Sequence, residues 1–481
     1  MNGSETVVAI DQGTTATKAH RLSADGRFET FASVEHRTTY PRSGWVEHDP
    51  TELLGNIVAC LEQAGGAAAV GIANQGETVV AWDAETGRPI HHAIVWQDAR
   101  THATTERLKA EGAEALTLER AGLPLDPYFS ASKLNWLIEH GDGAAGLLKQ
   151  GRLRLGTSDA FFLERLTGRY ATDVTTASRT SLMNLATCQW DPELCDLFGV
   201  PIEALPEILP TAGCFGEVRV NGRYLPVTAS VVDQQAALFG HGCLRPGDVK
   251  ITFGTGAFAL AIVGATLQRD ATGALLATIA WQTVDGTTFA LDGGIYNAAS
   301  AVNWARSLGL FGDFAEIERF EGEPAIARGL AFVPSLSGLA CPHWDRRAAG
   351  LWVGMGLETT RLDLVRAVLE GVALRSAEVL AAMDRLVPLA GAVSIDGGLS
   401  RNPYFCEFLA AALGREVTVP ASAELTGLGT ARLVFIGTGK EGASRLPPLP
   451  SPARRITPVA PLPAEVHERF AEAVRRARDW R

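Results

Sequence analysis

Residues 7–22 read VVAIDQGTTATKAHRL, and this stretch decides the fold class. A compact apolar run ends at Asp11, Gly13 allows a tight turn, and a second β-prone run continues to Leu22. Two such runs on either side of a glycine-containing turn are typical of a β-hairpin. The stretch therefore predicts two short strands joined by an acidic, hydroxyl-rich turn.

The second half of the chain repeats this pattern in residues 249–263, which read VKITFGTGAFALAIV. Two hairpins of one kind indicate two domains built on one plan, and 481 residues are too many for one simple core. Strands alternating with helices predict α/β domains. Other apolar runs lie at 70–73, 393–395 and 417–419, and helix-prone stretches lie at 51–63, 363–387, 403–413 and 464–481.

The composition is that of a globular protein, with 46% hydrophobic and 20% charged residues. A net charge of −11 argues against a nucleic-acid partner and against an anionic membrane surface. No apolar stretch of about 18 residues occurs, so no membrane insertion is expected. The seven cysteines are scattered without a C-x-x-C pair, and the start has no secretory leader pattern, so we expect a cytoplasmic protein with reduced thiols.

Two aspartates end apolar runs and could carry chemistry. Asp11 could sit beside a metal ion, directly or through water, while the turn after it offers hydroxyls and N–H groups to phosphate oxygens. In the alternative interpretation this is a plain hairpin. Asp233 precedes a helix-prone stretch, where it could be a helix N-cap or accept a proton from a substrate hydroxyl.

Two glycine motifs allow a ligand to approach the backbone. Gly254-Thr255-Gly256 formally fits a dinucleotide fingerprint, but a strand and not a helix follows it, which favours a phosphate-facing hairpin or a structural turn. The adjacent glycines in residues 396–402, DGGLSRN, suit a ligand or a strand-to-helix connection. The chain contains no G-x-x-x-x-G-K-S/T, H-E-x-x-H or G-x-S-x-G motif.

The order of the motifs is more specific than any one of them. In combination they resemble the FGGY family of carbohydrate kinases, and within it most of all the glycerol kinases. The resemblance covers roughly residues 5–440 and implies two ribonuclease-H-like domains of the actin and sugar-kinase type, 1–246 and 247–481, with an active-site cleft between them. The segments are DQGTT (11–15), GWVEHDP (44–50), NQGET (74–78), WQDAR (96–100), PYFSASKLNW (127–136), TTASRTSLMN (175–184), DQQAALFG (233–240), GTGAF (254–258) and DGGLSRNP (396–403).

The resemblance also implies a reaction, in which ATP and Mg²⁺ are used to phosphorylate a primary hydroxyl of glycerol or a related polyol. Asp233 matches the general base, and Asp11 and Asp233 match the carboxylates near the metal. The substrate positions are Gly76, Glu77, Trp96, Tyr128, Asp233, Gln234 and Phe258. The nucleotide positions are Thr14, Thr15, Lys18, Thr255, Ala299, Asn303, Gly398 and Asn402.

One departure leaves the substrate open. In glycerol kinases the corner around Gly76 reads NQRET, and its arginine and glutamate both hydrogen-bond glycerol. Replacement of that arginine by Gly76 removes a charged donor and is expected to open space beside Glu77. The sequence is therefore compatible with glycerol or with a longer polyol or ketose of the erythritol, xylulose or ribulose type.

Two further alternatives are an actin-like ATPase and a non-catalytic binding module. The pocket positions and both aspartates favour a kinase with a small-molecule substrate and no nucleic-acid partner. The resemblance is compatible with a homodimer or a homotetramer.

Overall fold

A computed structural model describes residues 6–439 and 446–481 of the chain. Residues 1–5, the start of the segment that shows no secretory leader pattern, lie outside the described residues. In the first half the strands are β1 Thr6–Gln12, β2 Ala16–Ser23, β3 Phe28–Glu35, β4 Thr38–Thr39, β5 Glu47–His48, β6 Val70–Asn74, β7 Val79–Asp83, β8 Ala93–Ile94, β9 Leu153–Thr157, β10 Ala171–Asp173, β11 Met183–Asn184, β12 Gln189–Trp190, β13 Glu207–Leu209, β14 Glu217–Val220 and β15 Arg223–Val232. The helices there are α1 Pro50–Leu61, α2 His102–Ala110, α3 Glu114–Arg120, α4 Ser130–His140, α5 Ala144–Lys149, α6 Ser158–Thr167, α7 Val174–Ala177, α8 Pro192–Phe198 and α9 Asp233–Gly240.

The second half continues the alternation of strands and helices. Its strands are β16 Val249–Phe253, β17 Ala257–Gly264, β18 Leu276–Thr283, β19 Gly286–Ile295, β20 Ala331–Val333, β21 Leu351–Val353, β22 Val393–Gly397, β23 Val417–Val419 and β24 Arg454–Ile456. Its α-helices are α10 Ala299–Ser307, α11 Arg361–Leu386, α12 Pro403–Leu413, α13 Leu425–Gly437 and α14 Ala464–Ala477. Single 3₁₀ turns lie at Ile202–Ala204, Phe314–Ile317 and Gly398–Arg401.

The first large sheet is built around the predicted hairpin. Its strand order is β14-β15-β6-β1-β2-β3, with β1 antiparallel to β2 and parallel to β6, and β6 parallel to β15. The hairpin register places Asp11 opposite Lys18. Because β1, β6 and β15 are parallel, their carboxyl ends meet at one edge of the sheet, which is where ligands bind in open α/β sheets.

The second large sheet repeats this plan. Its order is β18-β19-β17-β16-β22-β23-β24, with β16 antiparallel to β17 and parallel to β22, and β22 parallel to β23. The hairpin predicted at residues 249–263 is thus confirmed. The two sheets also confirm the predicted α/β class with two units built on one plan.

The predicted helices form where local signals start them. In α1, Asp49 caps the first turn by accepting from Thr51 N–H at 2.8 Å, and Pro50 occupies the first helical position, where no N–H is needed. The helix predicted at 403–413 is observed with those bounds, and the one predicted at 363–387 runs from Arg361 to Leu386. Helix α14 ends at Ala477, four residues before the predicted end.

Helices α9 and α13 form a core shared by both halves of the chain. Buried residues of β1 and β15, such as Val7 and Val231, lie in one apolar cluster with Leu428 and Val434 of α13. The two helices approach so closely that a Cβ on Gly429 would lie 1.8 Å from the carbonyl oxygen of Ala236. The division at 246/247 therefore stays a prediction, since α13 belongs to the later half but covers the first sheet. Within the described ranges, no helix is both long and apolar enough to cross a membrane.

Candidate active site

Asp233 lies at the junction of β15 and α9, beyond the carboxyl end of the first sheet. Its Oδ1 accepts a hydrogen bond from the Gln234 backbone N–H at 2.7 Å. Burial raises the pKa of the Asp233 carboxyl to about 6, and the charge of Glu77 adds to this effect. A carboxylate with a pKa just below neutrality is ionised at pH 7 yet basic enough to accept a proton, which suits a general base.

Asp11 is the penultimate residue of β1 and lies near the same edge of the sheet. Burial raises the pKa of the Asp11 carboxyl to about 7, and the charge of Asp233 raises it further while Lys18 opposes the rise. Such mutual repulsion between carboxylates is relieved by a divalent cation, and carboxylate oxygens are the ligands that Mg²⁺ prefers. The chemistry of these two carboxylates therefore suits the metal that the family resemblance implies, and their role as its ligands stays a prediction.

Lys18 reaches a carboxylate from the far end of the chain. Its Nζ donates to Oε1 and Oε2 of Glu424 at 2.8 and 2.9 Å. Oxygens of Glu424 and Asp11 and a ring nitrogen of His20 also lie within 4.8 Å of one another. Lys18 is thus near the predicted phosphate hairpin, but in this structure its ammonium is paired with Glu424. Its contact to a phosphate stays a prediction.

The polar corner after β6 is held by an arginine that the sequence analysis assigned to no role. Glu77 is buried with a φ of +59°, and its Oε1 accepts from Arg179 Nε at 2.7 Å. The Arg179 Nη2 atom also lies 3.1 Å from Oδ2 of Asp292, which is on β19 of the second sheet. Burial raises the pKa values of Glu77 and Asp292, and the charge of Arg179 opposes both shifts. Arg179 thereby joins the corner after β6 in the first half of the chain to β19 in the second half.

Gly76 does not open the space that the sequence suggested, so this expectation is wrong. A Cβ at Gly76 would lie 2.5 Å from Val232 Cγ2 and 3.9 Å from Val232 Cβ. The valine side chain thus occupies the place that a side chain at position 76 would need. Gly76 also does not have a positive φ, whereas its neighbour Glu77 does.

Two of the predicted aromatic substrate positions are in contact in the structure. Trp96 and Tyr128 pack edge to face with ring centroids 5.8 Å apart, and the Trp96 indole N–H donates to Thr14 Oγ1 at 3.2 Å. Burial raises the pKa of the Tyr128 hydroxyl well above its ordinary value, with a further contribution from the charge of Glu77, so it remains a donor. Phe258 lies on β17 opposite Gly294 of β19, two residues from Asp292.

The second predicted phosphate hairpin is fixed onto the start of α10. The carbonyl of Thr255 accepts from the Ala298 and Ser300 N–H groups at 3.0 and 3.1 Å and from the Ser300 hydroxyl at 2.8 Å. A Cβ on Gly256 would lie 2.4 Å from the carbonyl oxygen of Ile295, so only glycine fits this turn. The turn is therefore rigid, and it leaves the side chain of Thr255 exposed.

The remaining predicted nucleotide positions lie in the second half. Ala299 begins α10 and donates its N–H to the Gly254 carbonyl at 3.1 Å, and Asn303 is exposed on that helix. Gly398 is exposed with open space beside its Cα. Asn402 caps α12 by accepting from Phe405 N–H at 2.8 Å. Within the described residues, no hydrogen bond joins these four to the Asp11–Asp233 carboxylates, and their roles stay predictions.

Two buried lysines were also missed by the sequence analysis. Lys250 Nζ donates to Gln234 Oε1 at 2.6 Å and to Thr252 Oγ1 at 2.9 Å, which holds the predicted substrate residue Gln234 in place. Lys133 Nζ donates to the Tyr128 carbonyl at 2.8 Å. Burial lowers the pKa of both lysines, that of Lys133 to about 8. A lysine inside an otherwise apolar strand, VKITF, was the available signal for Lys250.

Comparisons with known proteins agree along the whole chain. Residues 6–240 match the N-terminal domain of the FGGY family of carbohydrate kinases, and residues 249–438 match its C-terminal domain. The glycerol kinase of Geobacter sp. (strain M21) is 40% identical over an alignment of 495 residues, which covers 99% of each chain. The glycerol kinase of Thermus brockianus is 41% identical over 491 residues, covering 98% of this chain and 99% of its own.

Solved structures show the same relationship. The crystal structure of Plasmodium falciparum glycerol kinase with ADP has a TM-score of 0.90 at 28% identity and covers 98% of both chains. The xylulose kinase of Rhodospirillum rubrum has a TM-score of 0.82 at 25% identity, again with 98% of both chains covered. These similarities confirm the predicted sugar-kinase fold. Because both family domains match in order and together span most of the sequence, this chain belongs to the FGGY family of carbohydrate kinases.

Proposed function

We propose that this kinase transfers the γ-phosphoryl group of ATP to a primary hydroxyl of glycerol. The observation that carries the proposal is the grouping of four side chains. They are the proton acceptor Asp233, the ion pair of Glu77 with Arg179, and the hydroxyl-bearing Tyr128. These four side chains influence one another electrostatically in the structure. Relatives named glycerol kinase that are about 40% identical over nearly the full chain support the same substrate.

Asp233 acts as the general base. As the bond from the substrate oxygen to the γ-phosphorus forms, the bond from that phosphorus to the bridging oxygen of ADP breaks. The hydroxyl proton passes to the Asp233 carboxylate, and ADP leaves. General-base assistance of this kind contributes roughly 10²–10⁴-fold to the rate.

The pocket orients the polyol by complementary hydrogen bonds. Glu77 accepts from a substrate hydroxyl and Tyr128 donates to one, while Gln234, held by Lys250, borders the site. Trp96 and Phe258 contact the carbon chain, and the edge-to-face packing of Trp96 on Tyr128 fixes that wall. Correct placement of the attacking hydroxyl is the main requirement of phosphoryl transfer.

The two hairpins receive the triphosphate despite the acidic chain. Backbone N–H groups and the hydroxyls of Thr14, Thr15 and Thr255 suit phosphate oxygens. Residues 1–246 supply the substrate-binding side, the general base and the first phosphate hairpin. Residues 247–481 supply the nucleotide-binding side. The nucleotide residues in this proposal are Lys18, Ala299, Asn303, Gly398 and Asn402.

Asp11 and Asp233 would hold Mg²⁺ at this edge of the first sheet. When bound, the ion supplies positive charge that neutralises the phosphates during transfer. Enclosure of the site between the two halves excludes water and so protects ATP from hydrolysis. We propose a cytoplasmic enzyme whose partners are these small molecules.

A longer polyol or ketose was the alternative because Gly76 was expected to leave space. Val232 Cγ2 occupies the place of the first side-chain atom at position 76, which weakens the structural reason for a larger substrate. The longer polyols and ketoses are nevertheless included among the substrates that test the proposal.

A coupled ADP-release assay with Mg²⁺ and ATP compares glycerol, erythritol, dihydroxyacetone, ribulose, xylulose and gluconate. We expect glycerol to have the highest kcat/KM. A ketose or gluconate that exceeds glycerol by tenfold would overturn the substrate assignment, and no turnover with any of the six would overturn the proposed reaction.

A further inference from the structure

Arg179 holds an unexplained donor in the polar corner. It is 4% exposed, its Nε and Nη2 face Glu77 and Asp292, and its Nη1 is buried without a hydrogen-bond partner among the described residues. A buried N–H group left without an acceptor costs about 1–3 kcal/mol, and more on a charged group. Beside the proposed polyol site, such a group can be satisfied by an acceptor that arrives with the ligand.

The segment that carries Arg179 is rigid, so the guanidinium is held in place. Asp173 is the N-cap of helix α7, and its carboxylate accepts from the N–H and hydroxyl groups of Thr175 and Thr176 at 2.6–2.9 Å. The Thr211 hydroxyl adds a further bond at 3.1 Å. A guanidinium on such a support is pre-organised and loses little rotamer entropy when it meets a ligand.

A second buried arginine, Arg100, also has a donor without a hydrogen-bond partner among the residues that the structure describes, but its surroundings compensate for this. Arg100 also binds two carboxylates, Glu47 and Asp98, and its Nη1 likewise has no hydrogen-bond partner within the described chain. The guanidinium of Arg100 is, however, covered by the rings of Trp45 and Trp136 at 3.8 and 4.6 Å. These cation–π contacts compensate the missing hydrogen bond.

Arg179 lacks a comparable cover. Its guanidinium carbon lies 5.5 Å from the ring of Phe129 and 6.0 Å from that of Tyr128, close to the outer limit of a cation–π contact. Its carboxylate partner Glu77 belongs to the corner that carries Gly76, where glycerol kinases have an arginine. Position 76 thus lacks the guanidinium that glycerol kinases have there. The guanidinium of Arg179 instead contacts Glu77, the neighbour of that position.

We propose that Arg179 is a substrate-binding residue whose Nη1 donates a hydrogen bond to a non-reacting hydroxyl of the polyol. This inference rests on the proposed function and names the group that replaces the arginine missing at position 76. The ligand class is a small polyol that offers a hydroxyl next to the one at Asp233.

The test compares glycerol with its two deoxy analogues, propane-1,2-diol and propane-1,3-diol, in the wild type and in Arg179→Lys. Lysine keeps the positive charge near Glu77 and Asp292 but has no atom equivalent to Nη1. We expect kcat/KM for glycerol to fall about 10- to 150-fold, mainly through KM, as for a lost hydrogen bond to a charged group. For the diol that lacks the contacted hydroxyl, the same substitution should cost less than about threefold.

Controls separate this role from a structural one. Arg100→Lys should lower the melting temperature but leave the ratio of glycerol to diol kcat/KM unchanged. An equal fold loss for glycerol and both diols in Arg179→Lys would overturn the inference, because a misplaced corner would affect all three alike. Glycerol-induced thermal stabilisation without ATP gives a second readout, and it should be reduced in Arg179→Lys and not in Arg100→Lys.

A second variant keeps the test decisive if Arg179→Lys does not fold. Combining Arg179→Gln with Asp292→Asn leaves the net charge of the trio with Glu77 unchanged, and the same loss of selectivity is expected. Failure of the proposed function remains distinguishable, since the wild type would then phosphorylate none of the three compounds. Turnover of glycerol with equal losses in the variants would refute only the role of Arg179.

Discussion

The carboxyl of Asp233 is subject to two opposing requirements. A buried charge lowers the stability of the folded protein, whereas a general base must be charged to accept a proton. Its pKa of about 6 in the folded protein lies above the ordinary 3.8. The folded state therefore binds the proton more tightly, and the stability contributed by this group falls as pH rises from about 4 to about 6. We expect Asp233→Asn to lose roughly 100-fold or more in turnover and to melt above the wild type at pH 7.5.

ADP release and melting curves between pH 4.5 and 8 check both halves of this prediction. The gain in melting temperature should shrink toward pH 4.5, where the wild-type carboxyl is protonated in the folded state. Asp142→Asn, at an exposed position, is the matched control and should change neither quantity. A variant that keeps more than about a tenth of wild-type turnover would exclude Asp233 as the base.

Gly76 and Val232 lie against each other, and a double variant can test this contact. Gly76→Arg alone should destabilise the protein by about 1–3 kcal/mol, since its Cβ would overlap Val232 Cγ2. Val232→Ala removes that methyl group and leaves a Cβ at 3.9 Å, so the double variant should recover most of the loss. Denaturant unfolding of the two single variants and the double variant measures the coupling, and additive free-energy changes would show that the contact is not the cause.

At the scale of elements, the contact between α9 and α13 controls where Asp233 sits. Gly429 of α13 faces the Ala236 carbonyl, and Gly240 of α9 faces the Leu425 carbonyl, with Cβ positions 1.8 and 2.1 Å away. We expect Gly429→Ala to force the helices apart, to cost about 1–3 kcal/mol or more, and to lower kcat because α9 begins at Asp233. Thermal unfolding and ADP release measure the two effects.

Gly55→Ala is the matched control for this element. Gly55 lies in the middle of α1 and no atom comes within 4 Å of the Cβ that alanine would add. Alanine there should stabilise the protein by about 0.5–1 kcal/mol through its better helix propensity. Equal stabilities of the two alanine variants would mean that the α9–α13 contact is not tight.

At the scale of the whole molecule, the cluster of acids at the cleft makes stability depend on pH and on metal. Asp11 has a pKa of about 7 in the folded protein against an ordinary 3.8, so its contribution to stability is lost as pH rises between about 4 and 7. Asp11→Asn should therefore melt above the wild type at pH 8 and close to it at pH 4.

Magnesium should reverse this difference. A cation bound near Asp11 stabilises the charged form, so MgCl₂ at pH 8 should raise the melting temperature of the wild type more than that of Asp11→Asn. CaCl₂ at the same concentration as MgCl₂ controls for the identity of the ion. NaCl at the same ionic strength as the MgCl₂ controls for screening. Equal shifts in both proteins would exclude Asp11 from the metal site.

Much of this organisation could be predicted locally. Both hairpins, the bounds of α12 and the positions of Asp11 and Asp233 at strand ends follow from apolar periodicity, glycine turns and capping residues. The aromatic wall of Trp96 and Tyr128 came from the family resemblance, and the structure places the two rings in contact. The space beside Gly76 was misjudged, because the residue that fills it is 156 positions later in the chain.

The α/β class, the repeated hairpin plan and the acids near the strand ends follow from the amino-acid sequence. Such features depend on residues within about ten positions of one another, where backbone preferences and side-chain periodicity act directly. Tertiary structure alone decided that Arg179 pairs with Glu77 and Asp292, that Lys18 pairs with Glu424, and that Val232 closes on Gly76. The members of these contacts are brought together only when the two sheets and the α9–α13 pair pack, so no local pattern in the chain specifies them.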